Sequence, residues 1–185
     1  MAYGLSKTRL ISFRQCPKKL WLEKHRPELA KEDPGRQSIF DLGHEVGAMA
    51  QRLYDTGGGI LIGHDTDLDS AIRQTLQEIA TKSSTPIFEA TLERDGLLAR
   101  ADILVRDDDG PRLVEVKAST SVKEEHVVDC AIQSWIFESS SARPKRVSLA
   151  HVNNEFVYQG DGEYTGFLAE ADVSADVAPV RAAVP

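Results

Sequence analysis

The chain has 185 residues, of which 41% are hydrophobic and 28% charged, and its formal net charge is -7. That length suits one domain with a sizeable core, and the composition excludes a disordered or fibrous protein. No apolar run approaches the roughly 18 to 20 residues that cross a bilayer, and the N-terminus lacks a secretory core, so the expectation is a cytoplasmic protein with no membrane partner.

The acidic balance counts against a protein that coats nucleic acid, but the charge is unevenly spread. Residues 1–30 hold seven basic side chains (Lys7, Arg9, Arg14, Lys18, Lys19, Lys24, Arg26) against Glu23 and Glu28, a local +5 that leaves -12 for the other 155. A basic arm on an acidic body fits a phosphate-backbone contact and a solvated helix face equally well. Cys16 and Cys130 are too few for a disulfide framework.

In chain order, Ser6 can cap a first short helix, and Pro17 suits the first position of a second that runs through Leu20, Trp21 and Leu22. A longer helix is expected from about Gln37 to Tyr54, because Ile39, Leu42, Val46, Met49, Ala50 and Leu53 recur at three- and four-residue steps; Gly57, Gly58 and Gly59 end it. After a brief apolar stretch at Ile60 to Ile62, Asp67 or Asp69 opens another helix with Ala71, Ile72, Leu76 and Ile79.

From Pro86 the period changes. Ile87 to Glu93, Leu97 to Val105 and Arg112 to Ala118 read as strands separated by Asp95-Gly96 and Asp109-Gly110, pairs that favour tight hairpins. A helix from about Lys123 to Ser139, an exit at Pro144 and a strand at Val147 to Val152 follow. One domain is expected over 1–170, with Ala171 to Pro185 a linker or frayed tail.

The hairpin at Asp109-Gly110 suggests a register. A two-residue turn there pairs Asp108 with Pro111 and Asp102 with Lys117, which makes Glu115, two residues from Lys117, the diagonal neighbour of Asp102. Ala99, Ala101, Ile103, Val105, Val114 and Val116 would form one apolar surface behind them. Two carboxylates so close repel each other unless a cation holds them, and Mg²⁺ or Mn²⁺ suits hard oxygen ligands. Lys117 beside them would act on an attacking water or on charge building at a phosphate. The same spacing also describes a surface hairpin with an ordinary Glu-Lys or Asp-Lys cross-strand pair.

These residues resemble the PD-(D/E)XK nucleases, in particular the RecB-like branch. The segment P-I-F-E-A-T-L-E-R-D-G-L-L-A-R-A-D-I-L from Pro86 resembles the strands leading to that branch's metal-binding Asp, at Asp102, and L-V-E-V-K-A-S-T resembles the next motif, at Glu115 and Lys117. Gln133, with Phe137 four residues later, matches the branch's glutamine helix. The opening S-K-T-R-L-I-S-F-R-Q-C-P-K-K-L-W-L resembles RecB-like and CRISPR-associated exonucleases that hold an iron-sulfur cluster, and is closer still to an uncharacterised bacterial domain family with this nuclease signature.

The resemblance implies an α/β fold, a restriction-endonuclease-like mixed sheet flanked by helices. Asp102, Glu115 and the Val116 carbonyl would bind Mg²⁺ or Mn²⁺. Lys117 would act on the attacking water, and Gln133 would steady the lysine or a phosphate. The implied partner is DNA, single-stranded or a duplex end, with a helicase or another repair protein as a possible associate.

The chain departs from the pattern in places. Only Cys16 matches a cluster ligand, and two cysteines cannot supply four thiolates, so no iron-sulfur cluster is expected in this chain. Where the branch carries a metal-binding His there is Gly47; His44, three residues earlier and on nearly the same helical face, is the candidate replacement, ahead of Glu45. Ala101 stands where a Pro usually precedes the first Asp. Glu89 matches an acidic position in the preceding strand, and Lys123, His126, Cys130 and Gln133 form one stripe of their helix. The rival reading is a nuclease-fold module that has lost turnover and binds nucleic acid or a partner protein.

Overall fold

In the computed structural model, residues 5–30, 34–55, 57–63, 67–81 and 83–184 are described. The β-rich middle of the sequence forms the centre of a mixed sheet. Strands β3 (Ile87–Arg94), β4 (Leu97–Asp107) and β5 (Gly110–Lys117) make an antiparallel meander. Strand β6 (Arg146–Val152) joins β5 in parallel after helix α5 (Glu124–Phe137) crosses over, and β7 (Leu168–Asp172) closes that edge antiparallel to β6. At the other edge β2 (Ile60–Leu61) pairs in parallel with β3, and the two-residue β1 (Leu5–Ser6) pairs in parallel with the start of β4. This α/β arrangement, a mixed sheet flanked by helices, is compatible with a restriction-endonuclease-like core.

Alternation along the strands builds two cores. The larger lies under α5, α1 (Lys7–Gln15), α4 (Leu68–Ala80) and α6 (Ser174–Arg181), and contains Leu104, Leu113, Ile132, Ile136, Phe137 and Leu149. The smaller lies on the other face, where Ala50 of α3 (Pro34–Tyr54) meets Phe88, Ile103, Val114 and Ala150. The Asp67 side chain caps α4 by accepting from the Ser70 amide, which decides between the two candidate caps. The expected apolar stripe of α3 is used only in part: Val46 and Ala50 are buried, whereas Ile39 and Leu42 are exposed.

Two expectations are corrected. The segment read as a linker or frayed tail from Ala171 instead completes β7 and continues into α6, whose Val177 is 1% exposed and packs in the larger core, as does Val184. Its short strand, with Glu170 and Asp172, and a Pro179 inside the helix hide both elements from a period search. The β4–β5 register is also displaced by two residues: Asp107 pairs with Gly110 and Ile103 with Val114, with Asp108 and Asp109 at the centre of the turn and Gly110 at φ 127°. A shift of two keeps every side chain on its expected face.

Candidate active site

Strands β4 and β5 stay paired only as far as Ile103 and Val114. Beyond that point β5 continues beside β6 down to Lys117, whereas the start of β4 turns to β1. Asp102 and Glu115 are the first residues past this fork. In place of a ladder bond, the Val116 amide donates to Asp102 Oδ2 at 2.7 Å.

The expected single apolar surface behind the site is broken at the same place. Ala99 and Ala101 belong to the larger core, whereas Ile103, Val105, Val114 and Val116 belong to the smaller one. Strand β3 changes face in step, with Phe88 in the smaller cluster and Ala90 in the larger, and Glu89 between them has φ 58°. A positive φ in a non-glycine residue is uncommon and turns the chain locally. Asp102 and Glu89 therefore line a cleft of about 690 Å³ under α3, together with Phe40, His44, Gly47 and Val116.

Glu115 is 3% exposed and is met by donors from three elements. Lys117 Nζ lies 2.5 Å from Oε1, Gln133 Nε2 of α5 donates to Oε2, and Lys7 Nζ of α1 reaches Oε1 at 3.3 Å and Oε2 at 3.5 Å. The same two ammonium groups hold Asp129 of α5, Lys7 at 2.8 Å and Lys117 at 2.6 Å. The structure joins Glu115, Lys117 and Gln133 and sets Asp102 on the Val116 amide; Lys7 and Asp129, which the sequence reading missed, belong to the first group. Asp129 was legible in principle, because it precedes Gln133 by four residues on the same helical face. Lys7 was lost among the basic residues of the N-terminal stretch.

The electrostatics separate the two acids. Burial works to raise the Glu115 carboxyl, but Lys7 and Lys117 overcome it and hold Glu115 below the ordinary carboxylate range. Asp102 is pushed up by burial and then by the Glu115 charge, and among the described residues no lysine or arginine forms an ion pair with it. Burial opposes the charge on Lys117 too, yet Glu115 and Asp129 raise it, so the lysine is an ammonium. Two neighbouring acids driven apart in this way can divide charged and proton-holding roles.

Asp102 and Glu115 with the Val116 carbonyl offer hard oxygens, and Asp102 is a half-buried carboxylate with no ion-pair partner among the described residues, so the donor set fits Mg²⁺ or Mn²⁺. The fit is lean, because among the described residues no group of three or more His, Cys, Asp or Glu converges on one point. His44 is exposed on α3 in the wall of the Asp102 cleft, and Gly47 lines it one turn on with open space beyond its Cα. His126 faces inward instead, its Nδ1 accepting from the Lys123 amide at 3.3 Å. Cys16 is exposed between α1 and α2 (Pro17–His25), whereas Cys130 is buried in α5; both are free thiols. Among the described residues no helix is long and apolar enough to cross a membrane.

No family model and no curated protein matches the chain. Solved structures similar at low identity include the following two. The crystal structure of SSO0001 has a TM-score of 0.41 and 15% identity over 97% of this chain and 74% of that one. An alkaline exonuclease, LHK-Exo from Laribacter hongkongensis, has a TM-score of 0.36 and 13% identity over 98% of this chain and 86% of that one. At these values the likeness bears on neither family nor activity.

Proposed function

We propose that the chain is a metal-dependent DNA nuclease of the RecB-like type, acting in repair, recombination or defence. The observation that carries this reading is the fork itself, whose first unpaired residues are a half-buried Asp102 lining the α3 cleft and a buried Glu115 bonded to the Lys117 ammonium. A divalent ion at Asp102, Glu115 and the Val116 carbonyl would polarise a phosphate and acidify a water. Lys117, fixed by Glu115 and Asp129, supplies the positive charge opposite the phosphate under attack, and Gln133 fixes Glu115. His44 is the candidate further ligand from the α3 side. Exposed Arg9, Arg14, Lys18 and Lys24 supply charge for the DNA backbone, and an associated helicase or repair protein would deliver the strand.

The experiment is cleavage of labelled single- and double-stranded DNA with Mn²⁺ by the wild type and by Lys117→Ala. Cleavage by the wild type that falls at least a thousandfold in the variant is the expected result. Intact DNA in both reactions overturns it. A second reading, a nuclease-fold module that binds nucleic acid or a partner without turnover, draws on the full set of protein donors already around Glu115. DNA binding that is independent of metal, without cleavage, is its signature.

A further inference from the structure

Lys7 is the group in the site for which the nuclease reading supplies no role. It is the first residue of α1, capped by Ser6, whose side chain accepts from the Arg9 amide. Ser6 in turn belongs to β1, the short strand that pairs with the start of β4, Ser6 against Leu98. The backbone at Lys7 is therefore held in place, and only its side chain is free to shift between neighbouring acids.

Its contacts are distinctive. An ionised carboxylate has about four lone-pair positions. On Glu115 the donors are Lys117 at Oε1, Gln133 at Oε2 and Lys7 across both oxygens, with the Asp129 carboxyl close enough to interact as well. Lys7 makes the longest of these contacts, 3.3 and 3.5 Å, and its shorter one, 2.8 Å, is to Asp129. Glu115 can accept another cation only if one donor withdraws, and Lys7, the most distant of them, already lies 2.8 Å from Asp129 Oδ1, a buried oxygen that no hydrogen bond yet satisfies.

We propose that Lys7 is a positioning residue, a tethered counter-ion that holds Glu115 in the metal-free protein and that an incoming divalent ion displaces onto Asp129. This rests on the metal-dependent reading of the same site. It accounts for how Glu115 and Asp129, two buried carboxylates, stay together before any metal arrives. It also makes the site self-limiting, because the ion competes with a built-in cation for Glu115.

The test is calorimetric titration of the metal-free chain with Mn²⁺ alone, comparing the wild type with Lys7→Met, Lys7→Arg and Asp102→Asn. Removing a positive charge a few ångströms from the ion tightens binding, so Lys7→Met is expected to bind Mn²⁺ roughly tenfold more tightly or better. Lys7→Arg, which keeps the charge, binds no more tightly than wild type, and Asp102→Asn binds more weakly. In parallel, metal-free Lys7→Met melts below the wild type and regains the difference as Mn²⁺ is added. Mn²⁺ binding by Lys7→Met that is equal to wild type or weaker overturns the role of Lys7 alone. Absence of Mn²⁺ binding in both overturns the metal-dependent reading and this inference with it. Should Lys7→Met not fold without metal, Lys7→Gln takes its place, and recovery of its fold on adding Mn²⁺ is expected; failure to recover is contrary to the proposal.

Discussion

Lys117 Nζ lies 2.6 Å from Asp129 Oδ2, so the lysine at the end of β5 is gripped from α5 as well as by its strand neighbour Glu115. A long flexible side chain positioned by one partner keeps several rotamers, and a second partner from another element removes them. Asp129→Asn keeps the shape but loosens that grip. We expect kcat for DNA cleavage to fall by about 10- to 100-fold with KM little changed. Unchanged kcat in a folded variant would show that Lys117 does not depend on Asp129.

The C-terminal helix is part of the domain. Val177 of α6 is 1% exposed, and Arg181 donates to the Ser134 side chain of α5 at 3.3 Å. Val177→Asp buries a carboxylate with no partner, which costs several kcal/mol. Its denaturant midpoint is expected to drop sharply, or the chain to fail to fold; a midpoint within experimental error of wild type would mean that α6 is dispensable.

Much of this architecture was legible from local signals, because α4 follows one helical period and turn residues separate the strands of the meander. The hairpin register was misread because Asp109-Gly110 has the favoured turn composition, whereas Gly110 uses its positive φ one step later, as the first residue of β5. That error was harmless to the Glu115 and Lys117 faces, since it spanned two residues. The change of face at Glu89 and Asp102 was not legible, because it follows from the parting of β4 from β5, a tertiary event with no local signature. Lys7 was hidden for the same reason: only the pairing of β1 with β4 carries it to Glu115, over a hundred residues away in sequence.

The edge strand β7 is tied down by charge. Glu170 accepts from the Tyr54 hydroxyl of α3 at 2.5 Å and pairs with Arg112 of β5. Burial works to raise this carboxyl, but the donors Tyr54, Ser148 and Arg112 outweigh it and hold it below the ordinary range. A lowered acid contributes its stability above the unfolded value, about 4.3 for Glu, and loses it as the pH falls through the folded value. Glu170→Gln is expected to cost about 1 kcal/mol at pH 7, solvent screening keeping the figure small, with the difference from wild type shrinking below about pH 4. Chemical denaturation across that range checks it, and a deficit independent of pH would contradict the assignment.

The central claim is that Asp102 and Glu115 form one divalent-metal site in the fork between β4 and β5. A crystal structure of the protein with Mn²⁺, collected for anomalous scattering, tests it most directly. The account predicts an anomalous peak bound by the Asp102 carboxylate, a Glu115 oxygen and the Val116 carbonyl, with Lys7 withdrawn towards Asp129. Crystals at millimolar Mn²⁺ with no peak in the fork, or with the ion held elsewhere and Lys7 still across Glu115, would contradict it.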